Sequence, residues 1–132
     1  MADPIDRVFA LLEQYRARMG ANDCRMGCPI GNLALEVSDG SPEARKLIHR
    51  NFENWARRVE GWLDAAGSSL PADLDRAKLA RFVLTVMEGG LMQARAAGNM
   101  DPFDDSVSVL RDHFARLQQQ AIAEKKKGRK RR

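Results

Sequence analysis

The chain has 132 residues, of which 44% are hydrophobic, 30% charged and 6% aromatic; this is enough apolar material for one buried core and too much for a disordered chain. No apolar run is long enough to span a bilayer, and Met1-Ala2-Asp3-Pro4 lacks the basic and apolar stretches of a secretory leader, so a cytoplasmic protein with no membrane partner is expected. The net charge of +4 is uneven: residues 125–132 hold seven of the 22 basic residues and no acid, leaving 15 basic against 18 acidic residues before them, which argues against a basic nucleic-acid face on the body.

Helix one is predicted from Asp3-Pro4 to Gly20, with Ile5, Val8, Phe9, Leu12, Tyr15 and Met19 at helical spacing. The stretch Gly27-Cys28-Pro29-Ile30-Gly31-Asn32-Leu33-Ala34 lacks the glycine series and Lys-Ser/Thr pair of a phosphate loop. It reads instead as a short buried helix over 29–37, started by Pro29, with Asn32 satisfying nearby backbone groups. Helix three starts at Ser41-Pro42 and carries the clearest stripe, including Leu47, Ile48, Phe52, Trp55, Val59 and Trp62, up to Gly67. After the Gly67-to-Pro71 breaker, helix four begins near Asp73 or Asp75 and runs to Gly98; helix five begins at Asp101-Pro102 and fades at Gln118-Gln119-Gln120. No strand pattern competes. The expected architecture is all-α, a five-helix bundle over residues 1–120, followed by a basic, disordered tail over 121–132.

Helix four stands apart. Between Phe82 and Leu91 only Thr85 and Glu88 are markedly polar, and Gly89-Gly90 sits mid-helix at a propensity cost of about 1 kcal/mol per glycine. Interior glycines permit close approach by another helix, and a helix apolar almost all round must be covered on more than one side. One side is expected to face the core and another a second copy of the chain. The predicted dimer patch is Val86, Gly89, Gly90 and Ala94 on helix four with Val107, Leu110 and Phe114 on helix five.

The Gly-Cys-x-x-Gly-Asn-Leu-Ala segment at 27–34, together with "LARFVLTVMEGGLMQAR" at 79–95 and "DPFDDSVSVLRDHFARL" at 101–117, resembles the C-terminal regulatory domain of TetR/AcrR-family transcriptional repressors over roughly residues 3–118. The resemblance implies a helical bundle that binds a small effector and dimerises through its last two long helices, here about 74–98 and 102–118. It also implies that helix two walls the effector cavity, with Cys28 as a wall residue and not a nucleophile. In a complete member a helix-turn-helix domain would precede Asp3. No such element is found in this sequence, so DNA reading is expected only through a missing domain, or weakly through the Lys/Arg tail.

The residues themselves offer no catalytic constellation, no cofactor motif and no metal spacing, and no enzyme activity is expected. His49 and His113 are isolated, while Asp101, Asp104 and Asp105 read as acids favoured at a helix start. The bulky apolar residues suggest a pocket between bundle helices for a small apolar effector. The candidate ligand-binding residues are Phe52, Trp55, Met87, Cys28, Leu33 and Trp62. Two alternatives stand beside this reading: a redox or electrophile sensor using Cys24 and Cys28, and a small nucleic-acid-binding protein acting through its basic tail.

Overall fold

Proline and the residue before it set most of the helix starts. In the computed structural model, which describes residues 3–132, the elements are α1 (Pro4–Ala21), α2 (Pro29–Val37), α3 (Pro42–Ala65), α4 (Arg76–Ala97) and α5 (Asp101–Lys130), with a 3-10 turn at Gly67–Ser69 between α3 and α4. Asp3 caps α1 by accepting from the Ile5 N–H at 2.8 Å, Ser41 caps α3 through Ala44 N–H at 3.2 Å, and Asp75 caps α4 through Lys78 N–H at 3.0 Å. Each acceptor satisfies a donor that has no partner within its own helix. At α5 the N-cap residue is Met100, which makes no side-chain cap bond, and the Asn99 side chain accepts from the Asp101 N–H at 3.0 Å. Gly98 ends α4 in the left-handed conformation, φ 72°, which glycine adopts without a Cβ clash.

The helices assemble as an all-α bundle, with no strand among the described residues. Helix α4 is central: it packs most extensively on α5 and then on α3. Its core stripe, Leu79, Val83, Met87, Leu91 and Ala94, is buried and follows the 3.6-residue repeat. Phe103, Leu110 and Phe114 of α5 and Val8, Phe9 and Leu12 of α1 close the core around it. The Phe9 and Phe114 rings meet edge to face at 5.4 Å, Arg111 lies over the Phe9 ring, and Arg16 grips both carboxylate oxygens of Asp104 at 2.7 and 2.8 Å, tying α1 to α5. Arg76 on α4 donates to the carbonyls of Leu63 and Gly67, which satisfies acceptors left over at the end of α3.

Two expectations are corrected here. Residues 121–130 are helical, as a direct continuation of α5. Nothing after Gln120 breaks the helix before Gly128, Ala and Lys are good helix formers, and Ala121 is still buried against the body. The lysines and arginines at the end also suit the negative pole of the helix dipole. The other correction is α2. None of its residues is fully buried, and Leu33 and Leu35 are 43% and 71% exposed. A nine-residue helix packed on one side carries more apolar residues here than that side can cover. Among the described residues no helix is long and apolar enough to cross a membrane.

Candidate functional site

Three stripes run along α4, and only one of them faces the core. A second consists of Arg81, Leu84, Thr85, Glu88, Gly89 and Met92, spaced three and four apart and therefore on one face. Together with His49 and Phe52 of α3 this stripe lines a cleft of about 470 Å³, within the range of small-molecule sites. A smaller recess of about 100 Å³ lies under α2, between Gly27, Cys28, Gly31, Asn32 and Leu35 on one side and Glu88, Leu91, Met92 and Arg95 on the other. Glu88 and Met92 line both spaces and form their common wall. The aromatic wall extends inward: Phe52 meets Trp55 edge to face at 5.8 Å, and Trp55 meets Tyr15 at 5.9 Å.

Local sequence explains how the recess is built. Asn32 donates from its side-chain amide to the Met26 carbonyl at 2.6 Å, and Gly27 takes φ 61°, so the 22–28 loop is folded back against the start of α2. A Cβ on Gly31 would collide with Oε2 of Glu88. The absent side chain is what lets a carboxylate from α4 lie against the α2 backbone.

Glu88 is the unusual charge of the molecule. Its Oε1 is buried and has no hydrogen-bond partner among the described residues. Burial raises its pKa above the ordinary carboxylate range, with the Cys28 thiol acting in the opposite direction. Burial likewise pushes the Cys28 thiol up to about 11, with the neighbouring Glu88 carboxyl adding to the effect. Tyr15 is raised by burial first, then by Cys28 and Glu88. The Cys28 thiol and the Glu88 carboxyl thus meet at the recess under α2, and both act on Tyr15. At neutral pH the Cys28 thiol is protonated and 3% exposed, the opposite of the depressed, accessible thiolate that a reactive cysteine needs.

Of the residues predicted for ligand binding, Phe52 lines the cleft, Cys28 lines the recess, and Trp55 backs Phe52. Met87 is fully buried in the core, Trp62 packs against that core, and Leu33 points outward; none of these three lines either space. The ligand-binding candidates drawn from the sequence did not include Glu88, Gly31, Tyr15, His49 or Met92, although Met92 was counted among the bulky apolar residues that suggest a pocket. One signal was present: Glu88 is the lone acid within the apolar run of α4.

The third stripe of α4 faces outward beside α5. Phe82 and Val86 form a groove of about 410 Å³ with Ser106, Val109, Leu110, Asp112, His113 and Arg116 of α5. Phe82 is 49% and Val109 69% exposed. The predicted dimer residues Gly90, Ala94, Leu110 and Phe114 are instead buried inside the chain. The close approach that Gly90 permits is made by Phe103 of the chain's own α5, while Leu110, though only 2% exposed, still lies in the wall of the outer groove.

A family model for the C-terminal domain of LmrA/YxaF-like transcriptional regulators matches residues 4–108. The chain belongs to this branch of the TetR family. The matched span takes in α1 to α4 and the first turns of α5, and hence every residue of the cleft and the recess. Among curated proteins, the HTH-type transcriptional regulator LmrA of Bacillus subtilis is 30% identical over 115 residues, covering 86% of this chain and 59% of LmrA. An uncharacterised HTH-type transcriptional regulator of Mycobacterium tuberculosis is 30% identical over 104 residues, covering 76% and 53%. The HTH-type transcriptional repressor DhaR of a Mycobacterium species is 27% identical over 101 residues, covering 75% and 51%. The TetR-family chain thus spans about half to three-fifths of the length of these relatives. No solved structure gives a significant match.

Proposed function

We propose that this TetR-family regulatory domain senses a small, largely apolar effector in the cleft between α3 and α4 and pairs with a second copy through the outer face of α4 and α5. The observation that carries the reading is the shared use of α4. Leu84, Glu88 and Met92 line the cleft, while Phe82 and Val86, on the same helix, line the outer groove. A ligand that seats against the inner stripe and shifts α4 moves the outer stripe with it, because a packed helix moves as a unit. The arrangement therefore has what effector sensing needs: a cleft of ligand size, aromatic and aliphatic walls, and a direct mechanical connection to a candidate subunit interface.

The reading is tested by a thermal-shift screen of small aromatic and alicyclic compounds against the full chain. Compounds that raise the melting temperature should lose their effect in a Phe52→Ala variant and keep it in an Arg57→Ala variant, which alters the exposed face of α3. Stabilisation that survives Phe52→Ala unchanged would place the ligand elsewhere.

A further inference from the structure

Resting on that reading of the cleft, we propose that its ligand is an organic cation: a protonated amine carried on an aromatic or alicyclic body, with the ammonium on Glu88 and the body on Phe52, Leu84 and Met92. Glu88 forms the common wall of the cleft and the recess, with one carboxylate oxygen buried and without a partner among the described residues. An unpartnered buried acceptor costs free energy, and a charged one costs more. An ammonium supplies both the missing donor and the missing counter-charge through a short charge-assisted bond.

The surrounding polar groups leave this role to Glu88. Arg81 at the mouth is held by Glu53 of α3 at 2.8 Å. Thr85 donates its hydroxyl proton to the Arg81 carbonyl at 3.0 Å. Arg95 lines the recess but not the cleft, and burial and Cys28, not a cation, are what move the Glu88 titration. An anionic ligand in the cleft would meet a carboxylate at its inner wall. A cation would meet that carboxylate and, alongside it, the Phe52 ring, whose face attracts positive charge. Gly31 makes room for the Glu88 carboxylate on the other side, where an added Cβ would force it to move.

The experiment compares three probes on one three-ring aromatic scaffold: a dimethylaminopropyl chain, its uncharged carbon-for-nitrogen isostere, and a carboxypropyl chain. Affinities are measured calorimetrically on the full chain at pH 7.5, with unmodified protein and with Glu88→Gln, whose fold is checked by circular dichroism. The amine should bind at least about tenfold tighter than either counterpart, and Glu88→Gln should erase that margin while changing the uncharged probe by less than about twofold. Equal binding of amine and uncharged probe, or an amine affinity indifferent to Glu88→Gln, overturns the cation assignment and leaves the effector cleft standing. If none of the three binds, the cleft reading falls with it. Should Glu88→Gln fail to fold, the comparison of amine with its isostere on the unmodified chain decides by itself.

Discussion

Gly90 of α4 and Phe103 of α5 are in backbone contact: a Cβ on Gly90 would lie 3.0 Å from Cδ2 of Phe103 and 3.3 Å from its Cα. One residue earlier, a Cβ on Gly89 would meet nothing within 4 Å. The two adjacent glycines therefore have opposite reasons to exist, and alanine should separate them. Gly90→Ala must push α5 away at its main chain and is expected to cost about 1–3 kcal/mol. Gly89→Ala gains helix propensity in open space and is expected to stabilise by about 0.5–1 kcal/mol. Urea unfolding of the two variants beside the parent chain measures both, and the expected result is a shift of the midpoint in opposite directions.

Glu88 gives stability a specific pH dependence. Its folded pKa is raised by burial, so the folded state holds this proton more tightly than the unfolded state does. The associated stability is fully present below the unfolded carboxylate pKa and is lost as pH rises through the raised value. Asp104, lowered by its bond to Arg16, has the opposite sign: its contribution is present above the unfolded pKa and fades as pH falls. Comparing Glu88→Gln with the parent isolates the first effect, because Asp104 is common to both proteins. The variant is expected to be the more stable at pH 8, with the gap closing toward pH 4. Melting curves across that range check it; a constant gap would mean that the carboxylate is not held in a desolvated site.

The helix pattern was legible because each start is signalled by local chemistry: Asp3-Pro4, Ser41-Pro42 and Asp75 act within four residues of themselves. Helix four was read correctly as apolar on more than one side, yet the use of each side was not legible. Gly90 and Gly89 look alike in sequence, and only the path of α5 shows that one meets Phe103 and the other opens into the cleft. Glu88 was hidden for a related reason. Its significance depends on Gly31, which lies 57 positions away in the chain and on a different helix. The extension of α5 past Gln120 was missed because a run of lysines and arginines reads as a solvated tail, while the burial of Ala121 that anchors it is a tertiary fact.

The outer groove of α4 and α5 predicts where two copies would meet. Phe82 and Val109 are large, apolar and about half or more exposed, and a two-fold axis would set each groove against its own copy. Light scattering coupled to size exclusion at micromolar concentration should give a mass near two chains of 14.8 kDa. Phe82→Glu and Val109→Glu should each shift it toward one chain, by placing like charges across the axis, without unfolding a monomer whose core they do not enter. A single-chain mass for the unmodified protein would remove the interface proposal.

The last prediction concerns the end of α5. Beyond Ala121 the helix has no buried residue, and residues 125–132 present seven lysines and arginines on an exposed arm, five of them on the end of α5 and two just past it. With Ile122 as its single exposed large apolar residue, the arm lacks the apolar face that insertion into a membrane surface requires. Its chemistry suits the phosphates of a nucleic-acid duplex, read through charge and without base contacts. Binding to a duplex of arbitrary sequence should therefore weaken steeply with salt. The slope of log affinity against log salt should be no steeper than about −6, the limit if all seven charges neutralise phosphates. Removing residues 123–132 should abolish the binding while leaving the melting temperature of the body nearly unchanged, since none of the removed residues is buried. Fluorescence anisotropy with two unrelated duplexes at several salt concentrations measures this. Binding that persists after the deletion, or that strongly prefers one duplex, would show that the contact lies on the body and not on the arm.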